Sequence, residues 1–316
     1  MSKSKYISVV DQPNIKIHLS EQSHFSIGTS PYYAHQNAIA IDIYPQLTID
    51  NYNVVSPISG KVLQIKELKA PKPRFKEGID REYLTIIKNP HDNKTVFKVL
   101  HIKPEVQPGQ KLELGDQFGK TIRNGYFAPW SSPHIHLEMK RPEEVLRAKG
   151  GLHFNLCFKE QVPQESVEKG TYFDQIPVKV EFIYNEFFLC QFPGDFYQYF
   201  EPFYGVKGTN RYISFIIDGG IPQYKHGIIH LHNKGDSKKI DEIRLNTMRI
   251  GTLTGFQEKY GFVNFDNVKF LLNDKLIRGI SLFLAKKRPL IKLIPFNKED
   301  FEFKLNSIQH LKLLSN

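Results

Sequence analysis

The chain has 316 residues, 40% hydrophobic and 24% charged, which excludes fibrous, collagen-like and disordered classes and, at roughly 100–200 residues per domain, favours two domains over one. Its 43 Lys and Arg against 33 acidic residues give a net charge of +10, a balance that favours contact with anionic polymers or surfaces. The longest apolar runs, such as residues 280–285, fall far short of the roughly 18 residues of a membrane span, so no segment is expected to cross a bilayer.

Residues 1–12 start basic but contain no apolar stretch of about 7 to 15 residues and no small-residue cleavage site. No secretory leader is read there, and the expected compartment is the cytoplasm. Tyr (15) and Phe (24) are plentiful, and 19 Pro with 21 Gly punctuate the chain at short intervals, a strand-and-turn grammar. Alternating runs predict strands over residues 38–43, 60–65, 83–88, 95–102 and 134–139. Residues 142–148 are the one early helix candidate, with Pro142 in the first turn, two acids after it, and Gly150 and Gly151 as a stop. That seam predicts a first β domain over about residues 20–150 and a second, also mainly β, over 151–316.

The second domain is expected to hold a strand over 178–183 and four or five more up to Phe303, with Asp218-Gly219-Gly220 as a turn. Cys157 and Cys190 lack CxxC spacing and lie between apolar neighbours, so they are read as buried thiols, not as a disulfide or zinc knuckle. No RNP, zinc-finger or helix-turn-helix signature accompanies the basic residues, which disfavours a nucleic-acid partner.

The most informative stretch is Ser132-Pro133-His134-Ile135-His136-Leu137-Glu138. Alternate residues of a strand share a face, which sets His134 and His136 side by side with Cα atoms about 6.6 to 7 Å apart. One of the pair can bind a metal while the other stands beside it, although two histidines on one strand are by themselves weak evidence. Upstream, Asp42 interrupts an apolar alternating run whose Ile39, Ile41 and Ile43 are expected to face the core, with Ala38, Ala40 and Asp42 on the other side. A carboxylate there is costly to bury unless paired or metal-bound, which makes Asp42 a ligand candidate. His35, seven residues earlier, reaches the same site only if the chain bends. His101 follows the strand over 95–100, and the turns at Gly109 and Gly115 read as successive hairpins before a loop over 124–130.

Together these segments resemble the lysostaphin-type (LytM-like) zinc metalloendopeptidases. The resemblance rests on His35 to Asp42, Ser56-Pro57-Ile58-Ser59-Gly60-Lys61-Val62, His101 through Gly119, and Ser132 to Glu138, in that order, and covers roughly residues 30–140. It implies an antiparallel, lipoyl-barrel-like peptidase domain holding one Zn²⁺ through His35, Asp42 and His136, with His101 and His134 as catalytic histidines. Three protein ligands leave a fourth position for water, whose pKa the metal lowers toward about 7. The family's commoner spacing, four residues from His to Asp, lands here on Ala38; the looser form ending in A-x-D, which Ala40-Ile41-Asp42 resembles, points to His35. The implied function is hydrolysis of a peptide bond, with a peptide or cell-wall-like polymer as substrate. The missing leader argues against an extracellular wall, and the alternative is a degenerate, non-catalytic binding or scaffold protein on the same fold.

A second cluster, His226, His230 and His232, falls in a run expected to set three imidazoles on one strand face. It reads either as a further metal site or as a solvent-facing edge strand.

Overall fold

The computed structural model describes residues 6–159, 174–210, 212–233, 235–236, 240–257 and 259–314. Residues 1–5, where the segment read for a leader begins, lie outside the described residues. The chain divides into two compact units, Met1–Phe25 with Tyr33–Cys157, and Ser26–Tyr32 with Phe158–Asn316. Both are built almost wholly of antiparallel strands, as the aromatic, turn-punctuated sequence predicts.

In the first unit β1 (Tyr6–Ser8) pairs with β2 (His18–Ser20); β3 (His24–Ser26) follows, its last residue already counted in the second unit. The helical turn α1 (Tyr33–Gln36) leads into β4 (Ala40–Tyr44), β5 (Asn53–Val55), β6 (Gly60–Lys69) and β7 (Arg81–Lys88). After these come β8 (Val96–Leu100), β9 (Ile102–Pro104), β10 (Lys111–Leu112), β11 (Gln117–Thr121) and β12 (Ile135–Lys140). The main sheet runs β4-β12-β8-β7-β6-β10, and a smaller one runs β5-β11-β9. All five residues of β4 are buried, so Asp42 has apolar neighbours on both sides of the strand. Gly60, where β6 begins, lies so close to β7 that a Cβ there would sit 2.2 Å from the Lys88 carbonyl, an approach only glycine allows.

Two expectations are corrected here. The turns at Gly109 (φ 92°) and Gly115 (φ 88°) do not make successive hairpins: β10 leaves its sequence neighbours to pair with β6, while β11 pairs with β9 and β5. The helix expected over 142–148 is a single 3-10 turn, Pro142–Glu144. No residue of that turn is buried, so no packed apolar face sustains a longer helix. The fully buried Lys140 instead donates through Nζ to the carbonyls of Arg147, Lys149 and Gly150.

The second unit begins its strands with β13 (Ile176–Ile183), β14 (Phe188–Gln191), β15 (Tyr197–Phe200), β16 (Phe203–Thr209), β17 (Ser214–Ile221) and β18 (His226–His230). It continues through β19 (Glu242–Leu245), β20 (Met248–Gln257), β21 (Tyr260–Phe265), β22 (Lys269–Leu272) and β23 (Lys275–Leu282). The last are β24 (Leu284–Ala285), β25 (Ile291–Pro295) and β26 (Ile308–Leu314). The pairings β13-β14-β25-β23-β22-β26-β13 close a six-stranded antiparallel barrel. A second ring, β16-β17-β18-β21-β20-β19, closes through the single pair Thr209–Arg244. The ladder between β17 and β23 joins the two, and one apolar cluster, from Ile176 through Phe215 and Val263 to Leu313, fills both. Closure removes the open strand edges that a flat sheet of this size would expose.

Of the two thiols, Cys190 is buried and its pKa is pushed up by burial and by the nearby Glu181. Cys157 corrects the reading: it is only half-buried, and its S–H donates to the Ser8 carbonyl at 3.0 Å.

Candidate metal centre

The site is a product of strand register. In the antiparallel β4–β12 pair Asp42 stands directly opposite His136. Side chains so placed have Cβ atoms roughly 4.5–5.5 Å apart, which brings Asp42 Oδ1 to 2.8 Å from His136 Nδ1. His35 arrives from the other direction. The turn α1 is followed by Ala38 at φ 52°, and the N–H of Ile39 donates to the Ala34 carbonyl at 2.9 Å, so the chain doubles back into β4. That reversal is the bend the seven-residue spacing requires. It sets His35 Nε2 3.2 Å from Asp42 Oδ1 and 3.2 Å from His136 Nδ1.

The other two histidines close the group. His101 follows β8 at φ 68°, a conformation held by its own backbone, whose N–H donates to Glu82 Oε1 at 2.8 Å. Its Nδ1 donates to Glu82 Oε2 at 2.6 Å. His134 donates from Nδ1 to the Ser132 carbonyl at 2.9 Å, which turns its Nε2 toward Asp42 Oδ2, 3.3 Å away. The rings of His101 and His134 meet edge to face with centroids 5.1 Å apart, and His101 lies 5.5 Å from His136. Phe127 packs on both His101 and His134, at 4.7 and 5.0 Å. All five residues read from the sequence therefore converge in the first unit. Only His101 among them is more than marginally exposed.

Burial and partners set the charges. Burial alone would raise the pKa of Asp42, but His134, His35 and His136 hold it well below the usual carboxylate range. Burial pushes His134 down to about 3 against the pull of Asp42, which keeps this imidazole neutral. His136 goes the other way: burial would lower it, but hydrogen bonds to Asp42 and Glu138 raise it to about 9. For Glu82 burial is outweighed by His101 and Asn124, and its pKa falls to about 2.

Two acids of this assembly, Glu82 and Glu138, were given no role by the sequence. Glu82 orients His101 and is itself held by Asn124 Nδ2 at 2.8 Å. Its signal was the one that exposed Asp42, an acid in line with apolar positions: Glu82, Leu84 and Ile86 share one buried face of β7. Glu138, two residues after His136 and on the same face, places Oε1 3.3 Å from His136 Nε2. It is anchored by two buried lysines, Lys98 at 2.8 Å and Lys140 at 2.9 Å.

The donor set fits a metal ion. His35 Nε2, Asp42 Oδ1 and His136 Nδ1 lie 2.8 to 3.2 Å from one another. A tetrahedral site with bonds of about 2.0–2.1 Å spaces its ligand atoms roughly 3.3 Å apart. Glu138 at the far nitrogen of His136 is the carboxylate partner that orients a ligating imidazole and raises its basicity. His101, His134 and His136 form a second group with the necessary proximity, sharing His136 with the first.

Among the described residues His226, His230 and His232 are not a group whose ligand atoms converge, and β18 is not an edge strand. β18 is paired on both sides, by β17 and β21. His226 donates from Nε2 to the Ser30 carbonyl at 2.8 Å, and His232 from Nε2 to the Lys159 carbonyl at 2.8 Å. His230 is fully buried, with Nε2 3.1 Å from Asp218 Oδ2. Asp218, expected in a turn, lies inside β17 and is also fully buried. The glycine pair after it suggested a turn, but these glycines serve close packing, since a Cβ on Gly220 would meet the Tyr224 ring at 2.4 Å.

Compared with known proteins, the chain matches two models of one family, described as domain of unknown function (DUF8155) N-terminal domain over residues 15–156 and DUF8155 C-terminal domain over residues 198–307. All five site residues fall in the first match. The chain is also similar to the NMR solution structure of lysostaphin, with 13% identity over 78% of this chain and 95% of that one and a TM-score of 0.25. A score that low does not define a shared fold. No curated protein matches. No helix among the described residues is long and apolar enough to cross a membrane.

Proposed function

We propose that the first unit is a zinc-dependent peptide hydrolase, with His35, Asp42 and His136 as the metal ligands and His101 and His134 as the catalytic pair. The observation that carries this reading is the triangle of ligand atoms, no side longer than 3.2 Å, with two further imidazoles packed against it. Bound there, zinc supplies Lewis acidity and lowers the pKa of water toward about 7, so that a nucleophile exists at neutral pH. The chain's own groups do the rest. His134, with its Nδ1 proton committed to Ser132, presents Nε2 as the acceptor for a proton of the attacking water. His101, braced by Glu82, offers its Nε2 proton to the oxyanion and then to the leaving amine as the C–N bond breaks. Phe127 keeps bulk water off both rings. The substrate is a peptide, and the net charge of +10 favours one carried on an anionic, wall-like polymer.

His101→Ala and His134→Ala are each expected to lower kcat/KM on a peptide panel by about 10²–10⁴-fold while the protein keeps one zinc per chain. His136→Ala is expected to lose both zinc and hydrolysis. Metal analysis of the purified variants beside the peptide assay separates the two classes, and undiminished hydrolysis in His134→Ala contradicts the assignment.

A second reading, a metal-holding module without hydrolytic activity, is favoured by burial. His35 and Asp42 are each 1% exposed, His136 6% and His134 8%, leaving little open surface for a substrate to reach. One zinc per wild-type chain with no hydrolysis of any peptide selects this reading.

A further inference from the structure

In the first unit, the stretch Lys69-Ala70-Pro71-Lys72-Pro73-Arg74-Phe75-Lys76 carries four cations in eight positions and no acid. It leads out of β6 into the connection to β7. Exposure alternates along it: Lys72, Arg74 and Lys76 are exposed, whereas Pro73 and Phe75 between them are half-buried. Pro71 and Pro73 each fix φ, which stiffens the arm that displays the cations. Of the acids that flank the stretch, Glu67 and Asp80 turn to Arg81, at 2.9 and 3.9 Å, which leaves Glu77 against four positive charges.

The arm is fastened to the segment that borders the candidate metal centre. The Gly125 N–H donates to the Pro71 carbonyl at 3.1 Å, and the Ile79 N–H donates to the Arg123 carbonyl at 3.0 Å. The Arg123 guanidinium lies 4.0 Å from the centre of the Phe75 ring. A Cβ on Gly125 would sit 2.1 Å from the Pro71 carbonyl oxygen, an approach only glycine allows. From this seam two short links reach the histidines. Asn124 holds Glu82, the partner of His101, at 2.8 Å. The Phe127 N–H donates to the Asn124 carbonyl at 3.0 Å, and the Phe127 ring packs on His101 and His134. Residues 123–127 thus have the basic arm on one side and the two histidines on the other. We propose that Lys72, Arg74 and Lys76 select the substrate: they bind anionic groups, carboxylate or phosphate, on the peptide beside the bond to be cut, so that the preferred class is an acidic or phosphorylated peptide. The cutting rests on the hydrolase reading above, and the binding does not.

The test compares wild type with the triple variant Lys72→Gln, Arg74→Gln, Lys76→Gln. The control is Lys61→Gln, Lys88→Gln, Lys94→Gln, the same charge change among exposed lysines at the other end of the β6–β7 hairpin, where Lys61 faces Lys88. Fluorescence anisotropy follows binding of labelled alanine-based peptides, backbone-N-methylated so that none is cut, with Glu, phosphoserine or Gln at three alternate positions. The expected result is that wild type binds the Glu and phosphoserine peptides about 10-fold more tightly than the Gln peptide, the size of three exposed ion pairs acting together. That preference disappears in the arm variant and in about 1 M salt, and persists in the control. A preference for phosphoserine alone assigns the arm to phosphate, and one for both peptides assigns it to anions of either kind. On cleavable versions of the same peptides the arm variant raises KM for the acidic ones and leaves kcat unchanged. Equal binding of all three peptides by wild type, or equal loss of preference in the arm variant and the control, overturns the proposal. If wild type shows the preference but cuts nothing, the hydrolase reading fails and the anion-binding arm stands.

Discussion

Asp42→Ala is expected to retain no zinc, to lose all hydrolytic activity, and to be less stable without metal by about 3–5 kcal/mol, the cost of breaking a buried charge constellation from one side. Asp42 is 1% exposed and faces three imidazoles within 3.3 Å. Removing its carboxylate takes away one ligand atom and leaves His136, whose raised pKa rests on Asp42 and Glu138, with a buried charge half compensated. The loss therefore has two separable parts. Zinc content by mass spectrometry reads the first, and urea unfolding of the metal-free proteins reads the second. A variant that still carries one zinc per chain contradicts the ligand set. One that loses zinc without loss of metal-free stability contradicts the charge pairing of Asp42 with its three imidazoles.

Glu82→Gln is expected to reduce turnover by about 10²–10⁴-fold and to leave zinc stoichiometry unchanged, because Glu82 touches His101 and none of the three ligand residues. A neutral amide can still accept from the His101 backbone, but it no longer offers a second carboxylate oxygen to Nδ1, the contact that fixes the ring's tautomer. The same residue predicts an acid signature. Its pKa is depressed from the usual 4.5 to about 2, because His101 and Asn124 outweigh burial. A depressed carboxylate contributes stability that is present above its unfolded pKa and is lost as pH falls through the folded one. Wild type should accordingly lose about 3 kcal/mol from this group between pH 4.5 and 2, a loss absent from Glu82→Gln. Unfolding free energies of the two proteins should converge over that window; curves that stay parallel refute the depressed Glu82 carboxylate.

Much of the site was legible because its logic is local. Two-residue alternation paired His134 with His136 and isolated Asp42 among isoleucines, and the mainly β composition held throughout both units. Glu82 carried the same mark as Asp42, yet its meaning depended on a β7–β8 pairing that brings it to His101, 19 residues on. The bend that delivers His35 was only a requirement of spacing until Ala38 supplied it with a left-handed backbone. Asp218 shows where reading stops. Its partners Ser26 to Thr29 lie about 190 positions away, and nothing in Asp218-Gly219-Gly220 distinguishes a clamp inside a strand from a turn. The helix expected over 142–148 failed for an energetic reason: capping signals mark where a helix would start and stop, not whether its face packs against anything.

The ligand set can be seen directly by diffraction from crystals of the zinc-soaked protein, with anomalous differences collected at the zinc edge. One peak is expected, about 2.0–2.2 Å from His35 Nε2, Asp42 Oδ1 and His136 Nδ1 alike. A peak instead among His101, His134 and His136, or none in the first unit, contradicts that set.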